Sequence, residues 1–137
     1  MKQITEERAL DIIKKNQNKS LIGLDINDET ASFKVSMRDH SFIYLSEASI
    51  TEPSSDEANR IGKLLQVIKP KIDSIGIKPV YFNIQILVSE DATLMMNEMN
   101  ALQDFITSYG DVELKWSLNP VDNEANTVKM QIITITE

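Results

Sequence analysis

The chain has 137 residues, 42% hydrophobic and 26% charged, with a net charge of −7 at neutral pH and an isoelectric point of about 4.7. That length suits one domain with a real core, and the acidic balance disfavours nucleic acid or an anionic membrane surface as partner. The absence of cysteine excludes disulfides and thiol chemistry and fits a cytoplasmic setting, and no apolar run approaches the roughly 20 residues that span a bilayer.

The N-terminus M-K-Q-I-T-E-E-R-A-L lacks the apolar stretch of a signal peptide. Thr5 is placed to cap a helix with Glu6 and Glu7 in its first turn, and Ala9, Ile12 and Ile13 give that helix one apolar face. Residues 16–20 read as a polar break, so 1–20 form a helix and linker within a single domain spanning 1–137. Residues 21–24 are a short apolar run leading into the acidic turn D-I-N-D-E. Ala31, Phe33, Val35 and Met37 alternate with polar residues and predict a strand. Arg38, Asp39 and His40 read as a turn, and residues 41–50 as a second extended segment.

Ser54 and Glu57 stand at capping-box spacing. They predict a helix start, with Ala58, Ile61, Leu64, Leu65 and Ile68 on one face and Pro70 as the stop. Val80, Phe82, Ile84, Ile86 and Val88 mark a strand. Tyr81 and Leu87 make its other face partly apolar, which predicts a central position. Asp91 or Thr93 is expected to start the next helix, with Met95, Met99, Leu102, Ile106 and Tyr109 on its buried stripe and Gly110 just past its end. Val112, Leu114, Trp116 and Leu118 then alternate, as do Val128, Met130 and Ile132, and the turn-rich residues 119–126 predict a hairpin between them. The order α, β, β, α, β, α, β, β gives an α+β fold, with a mixed sheet of about four to five strands and two long helices packed on it. The helix between the third and fourth strands allows a parallel crossover.

Four stretches carry a family resemblance. The run P-V-Y-F-N-I-Q-I-L-V-S-E-D-A-T-L (79–94) and the run D-V-E-L-K-W-S-L-N-P-V-D-N-E-A-N-T-V-K-M-Q-I-I-T-I-T (111–136) resemble the strand, helix start and closing hairpin of the C-terminal domain of FtsZ, the bacterial tubulin homologue. Residues 41–69 are similar in pattern to that domain's preceding strand and helix. Upstream, L-I-G-L-D-I-N-D (21–28) resembles the family's synergy loop, L-I-N-x-D-F-A-D. The resemblance implies a tubulin/FtsZ C-terminal-domain-like fold, of the chorismate-mutase-like topology. It also implies that Asp25 and Asp28 stand where the family's loop positions the water that attacks GTP on the next subunit. Gly23 replaces the family's asparagine, and the glycine-rich G-G-G-T-G-[ST]-G phosphate loop does not occur in the chain.

Each candidate also has a plainer reading. D-I-N-D reads as an Asx-type turn, with Asp25 and Asp28 accepting backbone hydrogen bonds. A calcium loop there fails, because Thr30 holds the glycine position and Ser36 the position of the bidentate glutamate. His40 is the only histidine, so no zinc set can form around it. Met95, Met96 and Met99 form either an adaptable binding surface or core packing, with Met96 off the stripe. Trp116 has the parity of a core residue. The acidic groups at Asp56 and Glu57, Glu90 and Asp91, and 122–124 act as caps or as solubilising charge. Arg8, Arg38 and Arg60 are the only arginines, and nothing in the sequence brings them together for an anionic substrate.

The expectation is therefore a non-enzymatic FtsZ C-terminal-like module without cofactor or metal. Its partner is expected to be a protein, either an FtsZ-like subunit or a second copy. Any catalytic role would be in trans, through Asp25 and Asp28. A small acidic binding protein or chaperone that shares only the α+β layout is the alternative.

Overall fold

The computed structural model describes residues 1–17, 42–55, 57–120 and 125–136. The elements are β1 (Lys2–Ile4), α1 (Glu6–Gln17), β2 (Phe42–Thr51), α2 (Arg60–Asp73), β3 (Pro79–Val88), a 3₁₀ turn (Met96–Glu98), α3 (Met99–Thr107), β4 (Glu113–Pro120) and β5 (Thr127–Thr136). They form a five-stranded mixed sheet in the order β1-β2-β5-β3-β4. All neighbours are antiparallel except β3 and β4, which run parallel. The expected α+β class, the central β3 and the parallel connection through α3 are all present. The strand expected over 31–37, the turn at 38–40 and the acidic group at 122–124 lie outside the described residues.

Strand alternation gives the sheet two faces. On the front, Phe82, Ile84, Ile86 and Val88 of β3 join Val128, Met130 and Ile132 of β5 beneath α2 and α3. Helix α2 contributes Ile61, Leu64, Leu65, Ile68 and Ile72, and α3 contributes Leu102 and Phe105. Phe82, Phe105 and Tyr109 meet with ring centroids 5.1–5.5 Å apart, within the range of favourable edge contacts. On the back, Ala9, Ile12 and Ile13 of α1 cover Ile43, Leu45, Tyr81, Ile133 and Ile135. Thr5 caps α1 as expected, accepting the Arg8 N–H at 3.1 Å.

Four expectations need correction. β4 and β5 do not form a hairpin, because β3 lies between them. β4 alternates polar and apolar residues and ends at Pro120, which suits an edge strand, whereas β3 and β5 are buried along almost their whole length. Pro70 does not stop α2, which runs on to Asp73 with Ser74 N–H bonded to the Pro70 carbonyl at 3.0 Å. The proline faces solvent, so its missing donor faces no core residue, and Ile72 beyond it is buried.

Ser54 does not cap α2. Its hydroxyl donates to the Thr93 carbonyl at 2.6 Å, and the helix begins later, at Arg60, after an Asn59 that makes no side-chain cap bond. Helix α3 likewise begins at Met99 rather than near Asp91. The Asp91 carboxylate is engaged elsewhere, accepting from the Ser89 hydroxyl and the Asn126 N–H at 2.8 Å each. On α3 the side chains buried most deeply are Leu102 and Phe105, with Met99, Ile106 and Tyr109 half-buried beside them. Gly110 follows the helix with φ +72, a left-handed conformation that glycine adopts without steric cost.

Candidate functional site

Asp25 and Asp28, the residues singled out by resemblance, lie outside the described residues, as does His40. The described chain does place the neighbourhood from which residues 18–41 depart. Helix α1 ends at Gln17, one residue beyond Asn16, whose amide donates to Gln131 Oε1 at 2.9 Å. Gln131 in turn donates to Glu47 Oε1 at 2.7 Å.

These contacts belong to a polar row across the back face. The register aligns Glu47 with Gln131, Gln131 with Gln85, and Gln85 with Ser117. The row crosses β2, β5, β3 and β4 in turn. Gln85 Oε1 accepts from the Ser117 hydroxyl at 2.8 Å and from Asn119 Nδ2 at 3.2 Å, and Gln85 Nε2 donates to Asn83 Oδ1. Asn83 Nδ2 faces the Tyr81 hydroxyl at 3.4 Å. Asn83, Gln85, Ser117 and Asn119 are all buried. Buried amides hold their place only when satisfied, and this ladder satisfies nearly all of its atoms. The Asn119 Oδ1 is left without a partner among the described residues. The sequence shows the signal, because Asn83 and Gln85 interrupt an otherwise apolar strand at period two.

The front carries a second polar node that sequence reading missed. Arg60 and Glu98 are both fully buried and paired, with Nη2 to Oε1 at 2.8 Å. All five guanidinium donors are used: Nε and Nη2 on Glu98, Nη1 on the Glu52 and Ala92 carbonyls, and Nη2 also on the Thr93 carbonyl. Glu98 additionally accepts the backbone N–H groups of Arg60 and Met95. Its carboxylate therefore sits at the start of α2 and does the capping that Asn59 does not. A negative charge there also suits the helix dipole. Burial works to raise the Glu98 carboxyl. The Arg60 side chain, the two backbone donors and the Arg60 charge outweigh it and hold the carboxyl below the usual range.

This pair is a fastening rather than an open site. Arg60 has no free donor for an anionic substrate, and Arg8 is exposed and 3.5 Å from Asp11. Met96 is 90% exposed, while Met95 and Met99 are half-buried. Trp116 packs half-buried against the front core. Among the described residues no three or more His, Cys, Asp or Glu side chains come together as a metal set, and no helix is long and apolar enough to cross a membrane.

Between α2 and α3 the front surface keeps a groove of about 380 Å³. At one end Lys69 Nζ lies 3.0 Å from Asp73 and 4.7 Å from the centre of the Tyr109 ring. The Tyr109 hydroxyl donates to Asp73 at 2.7 Å. Burial, then that hydrogen bond and the Asp73 charge, push the Tyr109 hydroxyl well above its usual value. The same hydrogen bond, joined by Lys69, holds Asp73 below its usual value against the opposing effect of burial.

No model of a protein family matches the sequence, and no curated protein matches it. Solved structures do. An empty FtsZ dimer from M. jannaschii is similar with a TM-score of 0.59 and 18% identity, over 85% of this chain and 32% of that one. A tryptophan-to-tyrosine mutant of FtsZ from M. jannaschii gives 0.60 and 16%, over 98% of this chain and 42% of that one. This chain thus spans less than half the length of either structure. At such identities the likeness is one of fold, and the chain has an FtsZ-like α+β fold.

Proposed function

We propose that the chain is an FtsZ C-terminal-like module that acts by binding protein, in cell division or a related filament system, and does no chemistry by itself. The observation that carries this reading is the FtsZ-like fold, which takes in 85–98% of this chain but only 32–42% of the similar structures. A second support lies in the sequence. The glycine-rich loop that would let backbone N–H groups close on nucleotide phosphates does not occur in it. One of the similar structures is itself a dimer, which favours an FtsZ-like subunit or a second copy as partner.

In this reading the part open to chemistry is the loop at Asp25 and Asp28. Offered to a nucleotide on a partner subunit, the two carboxylates would act through a positioned water or a metal, since bare carboxylate and phosphate repel. The test is to mix the protein with assembling FtsZ from the same organism and follow phosphate release and pelleting. We expect a specific change that disappears in Asp25→Ala and in the Asp25→Ala/Asp28→Ala double variant. A change retained by both variants removes the in-trans role and leaves an interaction module. No change at all removes the filament reading and favours a small acidic binding protein. Titration calorimetry with GTP and magnesium should show no binding, and a micromolar dissociation constant would overturn the non-enzymatic reading.

A further inference from the structure

The groove between α2 and α3 has an apolar floor made by Leu65, Ala101 and Phe105, and Gly62 puts no side chain into it. Its volume of about 380 Å³ falls within the usual range for a pocket that buries a ligand group. Two of its lining residues carry an acceptor that a partner can use. Pro70 has no N–H, so the Gln66 carbonyl four residues before it has lost its helical partner. Gln66 and Pro70 both line the groove. Asp104, on the facing helix, is exposed and forms no ion pair among the described residues. The cation at the groove end, Lys69, is already held by Asp73 and the Tyr109 ring.

An apolar floor beside these two acceptors calls for a particular chemistry. We propose that this groove docks a basic amphipathic segment of a partner protein. An aliphatic or aromatic side chain fills the floor, and a neighbouring lysine or arginine donates to the Asp104 carboxylate and the Gln66 carbonyl. Arginine suits the pair of acceptors better than lysine, because its planar fork presents several donors at fixed angles. The net charge of −7 draws such a segment in and opposes a second copy of this acidic chain in the same place. The proposal deepens the reading of the chain as an interaction module. Its test needs no FtsZ, so either idea can fail while the other stands.

The probe is a short synthetic peptide with leucines at helical spacing and arginines beside them, titrated into the isotope-labelled full chain. We expect amide shifts confined to Gly62, Ala101, Asp104, Phe105 and Ser108, with an affinity that falls as salt is raised. Asp104→Asn should weaken binding on the order of tenfold, as losing one charged partner at an interface does, and should leave the melting temperature unchanged because Asp104 is exposed. Ala101→Phe, filling the floor, should abolish the local shifts. Three controls can overturn the proposal: equal binding by a peptide with serine in place of leucine, equal binding by one with glutamate in place of arginine, or sedimentation showing a second copy in the groove. Shifts spread over the acidic surface, undiminished binding by Asp104→Asn, or no binding at all would overturn it as well.

Discussion

The two faces of one sheet solve the same burial problem differently. The front is closed by aliphatic and aromatic side chains under α2 and α3, with one charged fastening where the ends of those helices meet their loops. The back is apolar beneath α1. Toward the other end of β3 and β4 it turns into a row of amides and hydroxyls that are buried and bonded to one another. Hydrophobic burial is non-directional and fixes that two layers adhere. Hydrogen-bonded groups fix how they align, because a shift of register leaves each of them unsatisfied. The front should therefore carry most of the stability and the back most of the alignment.

The sharpest way to break that contrast is at the charged fastening. Glu98→Ala leaves the Arg60 guanidinium buried without its counter-charge, and should cost about 3–5 kcal/mol in urea denaturation. A variant as stable as the parent would mean that the pair is not load-sharing at all. The pH dependence follows from the lowered Glu98 carboxyl. A carboxylate with a depressed folded value stabilises fully above its unfolded value of about 4.3, and loses that contribution as pH falls through the lower folded one. The stability gap between the parent and Glu98→Gln should accordingly be widest near neutrality and shrink in acid. A gap that widens on acidification has the wrong sign for this pair.

Next in size is the front core. Leu102→Ala removes a side chain that is 3% exposed, and should cost about 2–5 kcal/mol through lost burial and a cavity. A melting curve like the parent's would show that α3 does not pack through Leu102. The matching test on the back is Gln85→Leu, which takes the acceptor from Ser117 and Asn119 and the donor from Asn83. Leaving such groups buried and unpaired should cost about 1–3 kcal/mol. The contrast between the faces adds a second readout: Gln85→Leu should disturb amide resonances along β4 and α1, whereas Leu102→Ala should not. If both variants lose stability with no such difference, the back row is ordinary core.

The same contrast explains what could be read in advance. The extended segment of β2, the alternation in β3 and β5, the apolar stripe of α2 and the Thr5 cap of α1 are local patterns, and each appears where the sequence places it. What escaped was set at a distance. Arg60 lies in phase with Leu64 and Ile68, so its burial was visible in principle, but its partner stands 38 positions away. That partner caps α2, so the Ser54 spacing was a decoy. β1 has three residues, too few for a period to show. β4 pairs in parallel with β3 through the α3 crossover, not with β5 across the turn that follows β4. The resemblance to FtsZ carried the α+β class correctly, whereas its most specific residues, Asp25 and Asp28, fall outside the described chain.

The smallest effect expected is at the groove end, and it has the opposite pH sign. Tyr109→Phe removes one partly exposed hydrogen bond to Asp73. At neutral pH the loss should be no more than about 1 kcal/mol, as for other surface polar pairs. Above neutrality the comparison changes. A tyrosine whose folded value is raised adds stability that is fully present below its unfolded value of about 10, and is lost as pH rises toward the folded one. Burial, the hydrogen bond to Asp73 and the Asp73 charge all oppose a phenolate here, so ionising Tyr109 is less favourable in the folded parent than in the unfolded chain. The phenylalanine variant lacks that linkage. Urea midpoints measured at pH 9 and again near pH 11 should therefore fall more for the parent than for Tyr109→Phe, and the curves should converge or cross. Parallel curves would mean that Tyr109 ionises freely, that its contact with Asp73 does not persist in solution, and that the Lys69 at the groove end is not held as the docking geometry requires.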